Sequence, residues 1–403
     1  MTAPKIETGS RRSDTSCVLQ RYSPIGLLRC RLGPVYYCFP STEGLARLGL
    51  HRHLLMKKVF VALSGGVDSA VSAALLKDAG YDVTGAFIKI WSPEFLECTW
   101  QEDRLEAKRV AAHLGIPFRE IDLSQEYRDS VVSDMLDNYK KGFTPNPDVL
   151  CNRRIKFGAF TDWAFVNGAD TVATGHYARI AKRDERYALL KGVDATKDQS
   201  YFLYRLTEKD LSRALFPVGS YTKKEIREKA LAFRLPNAMR PDSQGLCFVG
   251  DVPMHEFLGR FLQIVRGALV NESGAQVGEH DGAALYTIGQ RHGFRLARSA
   301  PSGPYFVTHI DTAKNTVTVA KERRQTECTH VKLSDVHWIR ESAAEIEALP
   351  RYHGQPVKAR ITGGLDGYSA ELESPAACTP GQSLVFYDGE TCLGGAVIQS
   401  LVK

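Results

Sequence analysis

No apolar stretch in this sequence approaches the roughly 20 residues that a membrane-spanning helix needs, so no bilayer-crossing segment and no membrane partner are expected. No CxxC pair occurs either, which removes zinc-knuckle and thioredoxin-like sites. The nine cysteines are dispersed instead, at Cys17, Cys30, Cys38, Cys98, Cys151, Cys247, Cys328, Cys378 and Cys392. Their odd number argues against a secreted disulfide framework and for a reducing compartment, where most thiols serve as small buried hydrophobes. Tandem repeats are absent, and so is any strong charge bias. The formal net charge of +6 permits a polyanionic partner such as nucleic acid without demanding one. An apolar content of 43% and a charged content of 24% describe an ordinary globular chain, and 403 residues suffice for more than one core.

The first 55 residues stand apart. Arg11, Arg12, Arg21, Arg29, Arg31, Arg47 and Arg52 are set against only Glu7, Asp14 and Glu43, with no helical or strand period. Such an Arg-rich, acid-poor leader is either an organellar transit peptide or an extension upstream of Met56. We read residues 1–55 as an extension outside the fold, which implies a cytoplasmic protein; the transit-peptide reading would make it mitochondrial.

From Lys57 the pattern changes. Val59-Phe60-Val61-Ala62-Leu63 is a short continuous apolar run, as expected of a strand buried on both faces. A helix with Val71, Ala74, Leu75 and Leu76 on one stripe follows, closed by Gly80. Strands near 83–88, 118–123 and 171–174 then alternate with helical patterns near 102–114, 127–139 and 155–166. This alternation predicts an α/β fold with a doubly wound parallel sheet over residues 56–250. In such sheets ligands lie at the carboxyl ends of strands, where Ser64 and Gly175 both fall. Residues 251–325 mix one helix (254–261) with short strands, which predicts a small α+β central domain. Residues 326–403 are short β runs separated by Gly363-Gly364, Asp366-Gly367 and Asp388-Gly389, which predicts a small antiparallel β-barrel.

Ser64-Gly65-Gly66-Val67-Asp68-Ser69 sits where the first strand turns into the first helix. Two glycines allow close backbone approach, and the first helical N–H groups have no intrahelical partners, so the turn is an anion site. Ser64 and Ser69 add hydroxyl donors, and Asp68 is placed to orient a magnesium ion. No Gly-Lys-Ser/Thr follows, which excludes a Walker loop. A serine-capped tight turn is the bland alternative for a lone SGG; the full SGGxDS pattern after a hydrophobic strand argues against it.

Two cysteines have unusual surroundings. Thr144-Pro145-Asn146-Pro147-Asp148-Val149-Leu150-Cys151-Asn152 is a proline-stiffened loop leading into a helix with Arg153, Arg154 and Lys156. A thiol there is expected to be activated by the nearby cations, with Asn146 and Asp148 held for recognition or proton transfer. Cys247 lies in Asp242-Ser243-Gln244-Gly245-Leu246-Cys247-Phe248, where Gly245 gives the chain freedom to move. Either cysteine taken alone also reads as core.

The glycine loop resembles the pyrophosphate loop (PP-loop) of the N-type ATP pyrophosphatases, which cleave ATP between the α- and β-phosphates and adenylate a substrate. By itself it does not separate GMP, NAD, argininosuccinate and asparagine synthetases from tRNA-thiolating enzymes. The ordered set does. The loop, TPNPDVLCN, Thr174-Gly175-His176-Tyr177, the stretch from Lys197 to Leu203, DSQGLCF, Gly289-Gln290-Arg291 and Leu393-Gly394-Gly395 together resemble the tRNA-specific 2-thiouridylase family, from about Lys57 to the C-terminus. That resemblance implies ATP on Ala62, Leu63, Ser64, Gly65, Gly66, Val67, Asp68 and Ser69, with Ile88 and Gly175 beside the nucleotide. It implies Asn146, Pro147 and Asp148 at the target base, and tRNA contacts from His176, Lys197, Asp198, Gln199, Arg360, Ile361 and Gln382. It makes Cys151 the nucleophile and Cys247 the persulfide carrier. Arg360-Ile361 stands where the family commonly has Arg-Tyr, which puts that one contact in doubt.

The implied reaction adenylates C2 of the wobble uridine with ATP and Mg2+, then replaces the oxygen with sulfur. The implied partners are tRNA of the Lys, Glu and Gln type and a cysteine desulfurase or sulfur-relay protein that supplies the persulfide sulfur. Direct attack by the persulfide and prior release of hydrosulfide both remain open. Three rivals are weighed against this: another N-type pyrophosphatase such as argininosuccinate synthetase, a non-catalytic tRNA-binding protein, and an iron–sulfur cluster on Cys151, Cys247 and Asp148. The cluster is not favoured, since three ligands without fixed spacing are a weak signature.

Overall fold

Val59, Phe60 and Val61 are all buried in β1 (Lys58–Ala62), and their alternation explains the layering. Val59 and Val61 pack with Val71, Ala74, Val110 and Ala111 on one face, while Phe60 packs with Tyr127, Val131, Ile155 and Phe160 on the other. A strand buried on both faces belongs at the centre of a parallel sheet. The computed structural model describes residues 56–95, 100–183, 185–242, 253–340, 346–364 and 367–402, and shows that arrangement. With β2 (Asp82–Lys89), β3 (Phe118–Asp122), β4 (Thr171–Ala173) and β7 (Ala214–Leu215), β1 builds a five-stranded sheet of order β3-β2-β1-β4-β7, while the hairpin β5 (Ala178–Arg183) and β6 (Arg186–Lys191) between β4 and β7 lies outside it. Every pairing in that sheet is parallel. The order reverses between β1 and β4, and the glycine loop lies at that crevice.

Helices α1 (Val67–Asp78) and α2 (Trp100–Leu114) cover one face. The other face is covered by α3 over residues 124–140 and α4 over residues 147–166. Helix α4 starts at Pro147, eight residues before the helical pattern near 155 suggests, because proline is well suited to the first helical position. Its middle, Cys151–Ala159, runs as a π-helix and breaks at Gly158. Two short helices, α5 (Glu208–Ser212) and α6 (Lys223–Ala232), complete this part, each opened by a threonine capping box.

After α7 (Met254–Phe261) comes a second sheet from β8 (Gly267–Val270), β9 (Gln276–His280), β10 (Phe294–Leu296), β11 (Phe306–Asp311) and β12 (Thr316–Ala320). Its order is β10-β9-β8-β12-β11, antiparallel except for the β8–β12 pair. The remaining strands are β13 (Glu327–Trp338), β14 (Ile346–Leu349), β15 (Val357–Gly364), β16 (Gly367–Ala377), β17 (Ser383–Asp388) and β18 (Thr391–Val402). They close into a ring, because β13 pairs with both β16 and β18. The α/β, α+β and barrel architecture expected from the sequence is therefore present.

The barrel does not stand alone. The β5–β6 hairpin, which the sequence pattern did not reveal as such, reaches out of the first domain and pairs β6 with β18. Beside that junction, Gly395 lies so close to Tyr204 that an added Cβ would sit 2.7 Å from its ring and 2.8 Å from the Leu384 carbonyl oxygen. Tyr204 is buried in the core of the first domain and Leu384 in that of the barrel, so Gly395 is where the two interiors meet. Gly395→Ala should destabilise the whole protein by about 1–3 kcal/mol, the usual cost of overpacking. Thermal unfolding should show one transition at lower temperature; an unchanged midpoint would refute the close packing.

Candidate active site

The site begins where β1 ends. Leu63 continues the sheet by donating its N–H to the Ala86 carbonyl, and the chain then turns through Ser64, Gly65 and Gly66 into α1, whose first residue is Val67. The two serines brace the turn. Ser69 Oγ accepts from Ser64 N at 3.2 Å, lies 3.3 Å from Ser64 Oγ, and donates to the Gly66 carbonyl at 3.0 Å. Gly65 has φ +79°, and its carbonyl accepts from Asn237 Nδ2 (2.8 Å) and Arg240 Nη1 (3.2 Å). Arg240 is fixed in turn by Asp103 at 2.6 Å. Pinning the carbonyl from behind leaves the opening N–H groups of α1 to face outward, as an anion cradle requires.

Gly175 closes the cradle from β4. A Cβ there would stand 2.8 Å from Ser69 N and 2.9 Å from the Asp68 carbonyl carbon, so only glycine permits this approach. Ser72 Oγ ties the same parts together through the carbonyls of Asp68 (2.9 Å) and Thr174 (3.4 Å). Ala62 and Ile88 lie at the ends of β1 and β2, half-buried against the sheet's core. Beyond Ile88 a cavity of about 540 Å3 opens, lined by Lys89, Ile90, Trp91, Trp100, Arg128 and Phe261 among others.

Asp68 is not idle. Its Oδ1 accepts from Tyr177 Oη at 2.8 Å and from Lys223 Nζ at 2.7 Å. Lys223 also reaches Asp242 Oδ1 at 2.9 Å, and Asp242 takes Arg227 (2.5 Å) and Lys197 (3.0 Å) as well. Burial alone would raise the Asp242 carboxyl, but hydrogen bonds from Lys223 and Lys197 overcome it and hold the pKa down at about 2.

The second half of the site is α4. Its early start puts Asp148 and Cys151 three residues apart and so on one helical face. Cys151 is 3% exposed and packs in the core with Leu150 and Ile155. The cations expected around the thiol are partly diverted: Arg153 pairs with Asp210 at 3.3 Å and Arg154 donates to the Ser130 carbonyl at 3.1 Å. Lys156 remains on the inner side, with Nζ 3.5 Å from His176 Nε2. Burial pushes the Asp148 carboxyl up, and the Lys156 charge partly opposes this. His176 is 7% exposed, held between Phe157 and Phe216 and joined to Thr174 Oγ1 at 2.7 Å. Burial, followed by the Lys156 charge, lowers its pKa well below the usual range, so the ring is neutral.

The other sequence candidates divide. Gln382 donates to the carbonyls of Thr144 (2.9 Å) and Pro145 (3.3 Å), which brings the barrel onto the loop of Asn146 and Pro147. Lys197 and Gln199 join the phosphate side, Lys197 through Asp242 and Gln199 through the Tyr177 backbone. Asp198 shapes their turn by accepting from Gly192, Ser200 N and Ser200 Oγ. Arg360 projects outward from β15 opposite Glu371, and Ile361 turns toward the barrel core. Cys247 lies outside the described residues. Sequence reading missed Asn237, Arg240 and Lys223 and gave Tyr177 no role of its own within its motif; their partners are distant in the chain.

Gly175→Ala should weaken ATP binding by at least about tenfold, since its Cβ collides with the backbone of the anion cradle rather than with a movable side chain. Equilibrium nucleotide binding on the folded variant checks this, and unaltered affinity would remove the cradle from the ATP site.

Comparison with known proteins gives the same picture. The family described as the tRNA methyl transferase HUP domain matches residues 57–251, the tRNA methyl transferase PRC-barrel domain matches 255–321, and the aminomethyltransferase beta-barrel domain matches 328–398. The chain is 42% identical over 362 residues to the tRNA-specific 2-thiouridylase MnmA of Alkaliphilus oremlandii, an alignment covering 86% of this chain and 98% of that protein. It is 43% identical over 356 residues to the tRNA-specific 2-thiouridylase MnmA of Polynucleobacter asymbioticus, covering 85% and 96%. Identity sustained over almost the full length of such relatives leaves one conclusion: the chain belongs to the tRNA-specific 2-thiouridylase family.

Proposed function

We propose that this protein is a tRNA-uridine 2-sulfurtransferase in which the loop at Ser64–Ser69 adenylates C2 of the wobble uridine and Cys151 with Cys247 delivers sulfur to it. The observation that carries this reading is the dipeptide Gly175-His176. Gly175 touches the start of α1, and His176 packs on Phe157 and lies beside Lys156, both on α4, so the phosphate cradle and the Cys151 helix share one sheet edge.

The chemistry has two halves. The C2 oxygen of uracil leaves poorly, so it first attacks the α-phosphorus of ATP and pyrophosphate departs. The opening N–H groups of α1 and the Ser64 and Ser69 hydroxyls hold the phosphates, and the adenosine end extends past Ile88 toward the cavity there. Asp68 is the carboxylate that would hold magnesium beside them; one carboxylate with phosphate oxygens is its usual arrangement. An ion held there would supply neutralisation of the phosphate charge. The terminal sulfur of a Cys247 persulfide then attacks C2 and AMP leaves. Cys151 attacks the Cys247 sulfur, which frees 2-thiouridine and leaves a Cys151–Cys247 disulfide for an external reductant. If Cys151 first releases hydrosulfide, the same disulfide results. Asp148, with its raised pKa, is suited to hold a proton at the target base.

Wobble uridine is stacked in the anticodon loop, so it must be drawn out to reach this edge. We assign Gln382 and the loop at Asn146 and Pro147 to that face, with tRNA of the Lys, Glu and Gln type as substrate. A cysteine desulfurase or relay protein supplies the sulfur, in the cytoplasm. The wording of two matching families speaks of methyl transfer, yet methyl transfer calls for neither a pyrophosphate cradle nor a pair of chemical cysteines.

Nucleoside mass spectrometry of tRNA from a strain lacking this gene, complemented by the wild type, Cys151→Ser or Cys247→Ser, tests the reading. Only the wild type should restore 2-thiouridine; restoration by Cys247→Ser would sink the persulfide role. Asp148→Asn should separate function from stability. Because burial raises the carboxyl's pKa in the fold, its ionisation opposes folding above about pH 4, the unfolded value, and not below it. The amide should therefore melt at or above the parent's temperature at pH 7, with the advantage vanishing in acid, while thiolation falls about 10²–10⁴-fold. A variant that melts lower at pH 7 would contradict the assignment.

A further inference from the structure

Lys223 belongs to no motif singled out in the sequence, yet its ammonium bridges two carboxylates at the phosphate site. It lies 2.7 Å from Asp68 Oδ1 and 2.9 Å from Asp242 Oδ1, with its side chain 16% exposed. Its root is fixed. Lys223 is the first residue of α6, its backbone N–H donates to Asp194 Oδ2 at 2.9 Å, and the Thr222–Glu225 capping box sets the helix start. The tip is held by its two carboxylate partners and lies 5.8 Å from the centre of the Tyr177 ring, and it can turn about four single bonds.

The two carboxylates do not need Lys223 equally. Asp242 keeps Lys197 at 3.0 Å and Arg227 at 2.5 Å, and Arg227 is itself locked to the carbonyls of Ala238 and Arg240. Asp68 has Tyr177 Oη, a neutral donor, as its other partner. Among the described residues, losing Lys223 would leave Asp242 with two cations and Asp68 with none. Asp68 is the second residue of α1, at the mouth of the anion cradle, so an arriving phosphate chain meets that negative charge directly. Arg240, the other cation at this turn, is committed behind it to the Gly65 carbonyl and Asp103.

We propose that Lys223 is a second phosphate-binding group of the adenylation step: on ATP binding its ammonium leaves Asp242, stays beside Asp68, and takes the pyrophosphate oxygens, where negative charge builds as the α–β bond breaks. Lys197 and Arg227 keep Asp242 neutralised, so the move leaves no bare carboxylate behind. A cation placed where charge develops lowers the barrier more than it tightens ground-state binding. This inference rests on the adenylation reading given above.

The test uses the full chain with ATP, magnesium and unmodified tRNA bearing a wobble uridine. It reads single-turnover pyrophosphate release, ATP affinity and tRNA affinity for the wild type, Lys223→Met, Lys223→Gln, Lys223→Arg and Asp242→Asn. Lys223→Met should slow release by about 10²–10³-fold, the range seen on removing one transition-state donor. ATP and tRNA affinities should each change by less than about tenfold. Lys223→Gln, which keeps hydrogen-bonding capacity without charge, should show the same loss even if the methionine variant folds poorly. Lys223→Arg should recover part of the rate, and Asp242→Asn should lose less than Lys223→Met does, since Lys223 keeps Asp68 as a partner there. Wild-type release rates in Lys223→Gln would overturn the proposal. Equal losses in Lys223→Met and Asp242→Asn would also overturn it, by making Lys223 a strut between two loops. If the wild type itself releases no pyrophosphate with tRNA, it is the adenylation reading that fails.

Discussion

Three hydrogen bonds between the barrel and one proline-rich loop hold the catalytic arrangement together. Thr144 N donates to the Pro380 carbonyl at 2.9 Å, and the Gln382 amide donates to the carbonyls of Thr144 and Pro145. The loop needs such outside partners, because Pro145 and Pro147 bring no N–H groups of their own and cannot build a local ladder. The central domain adds a third anchor through Thr287 Oγ1, 3.1 Å from Thr144 Oγ1. A segment that starts α4, and with it sets Asp148 and Cys151, is therefore positioned by residues up to 238 positions away. Domains that share such a clamp cannot move freely without disturbing the chemistry.

The first domain answers this clamp with one of its own. Gly175 fastens the end of β4 to the start of α1, and three residues later the chain enters the β5–β6 hairpin that pairs with barrel strand β18. Tyr201 and Tyr204 continue the join by bonding to Ser383, through its carbonyl at 2.8 Å and its hydroxyl at 3.4 Å. The glycine-loop cradle and the barrel are thus linked twice, through Gly175 and through the Thr144 loop.

What the sequence disclosed follows from how local each signal is. A buried strand, two glycines and an amphipathic helix are adjacent in the chain, so the sheet's first unit and the SGGVDS loop were readable without coordinates. The start of α4 was not, because its apolar period begins only near Ile155; what starts the helix at Pro147 is proline geometry together with packing against two other domains. The hairpin at 178–191 was hidden for a related reason. Its strands carry Arg, Lys and Tyr beside Ala and Leu, and pairing with β18 stabilises them more than their own pattern does. Lys223 and Asn237 act through partners more than 150 residues distant, and a residue whose meaning lies across the fold leaves no periodicity.

The shielding of Cys151 is the last element to account for. As the proposed nucleophile, Cys151 is only 3% exposed, which sets it back from a partner as large as tRNA. Yet an adenylated uracil and a persulfide are both vulnerable, the first to water and the second to stray thiols. A dry pocket protects each until they meet. The same dryness keeps His176 neutral and Asp148 high, so the groups beside the thiol carry less charge than their types suggest. Lys156, on the inner side of α4, places its positive charge beside His176 and Asp148. On the proposed mechanism, extracting the base from the anticodon loop would cost the RNA its stacking, and burial of that base beside Cys151 would offset the loss. Burial of the thiol and extraction of the base would then be two sides of one requirement, with the buried thiol met by a substrate already unstacked.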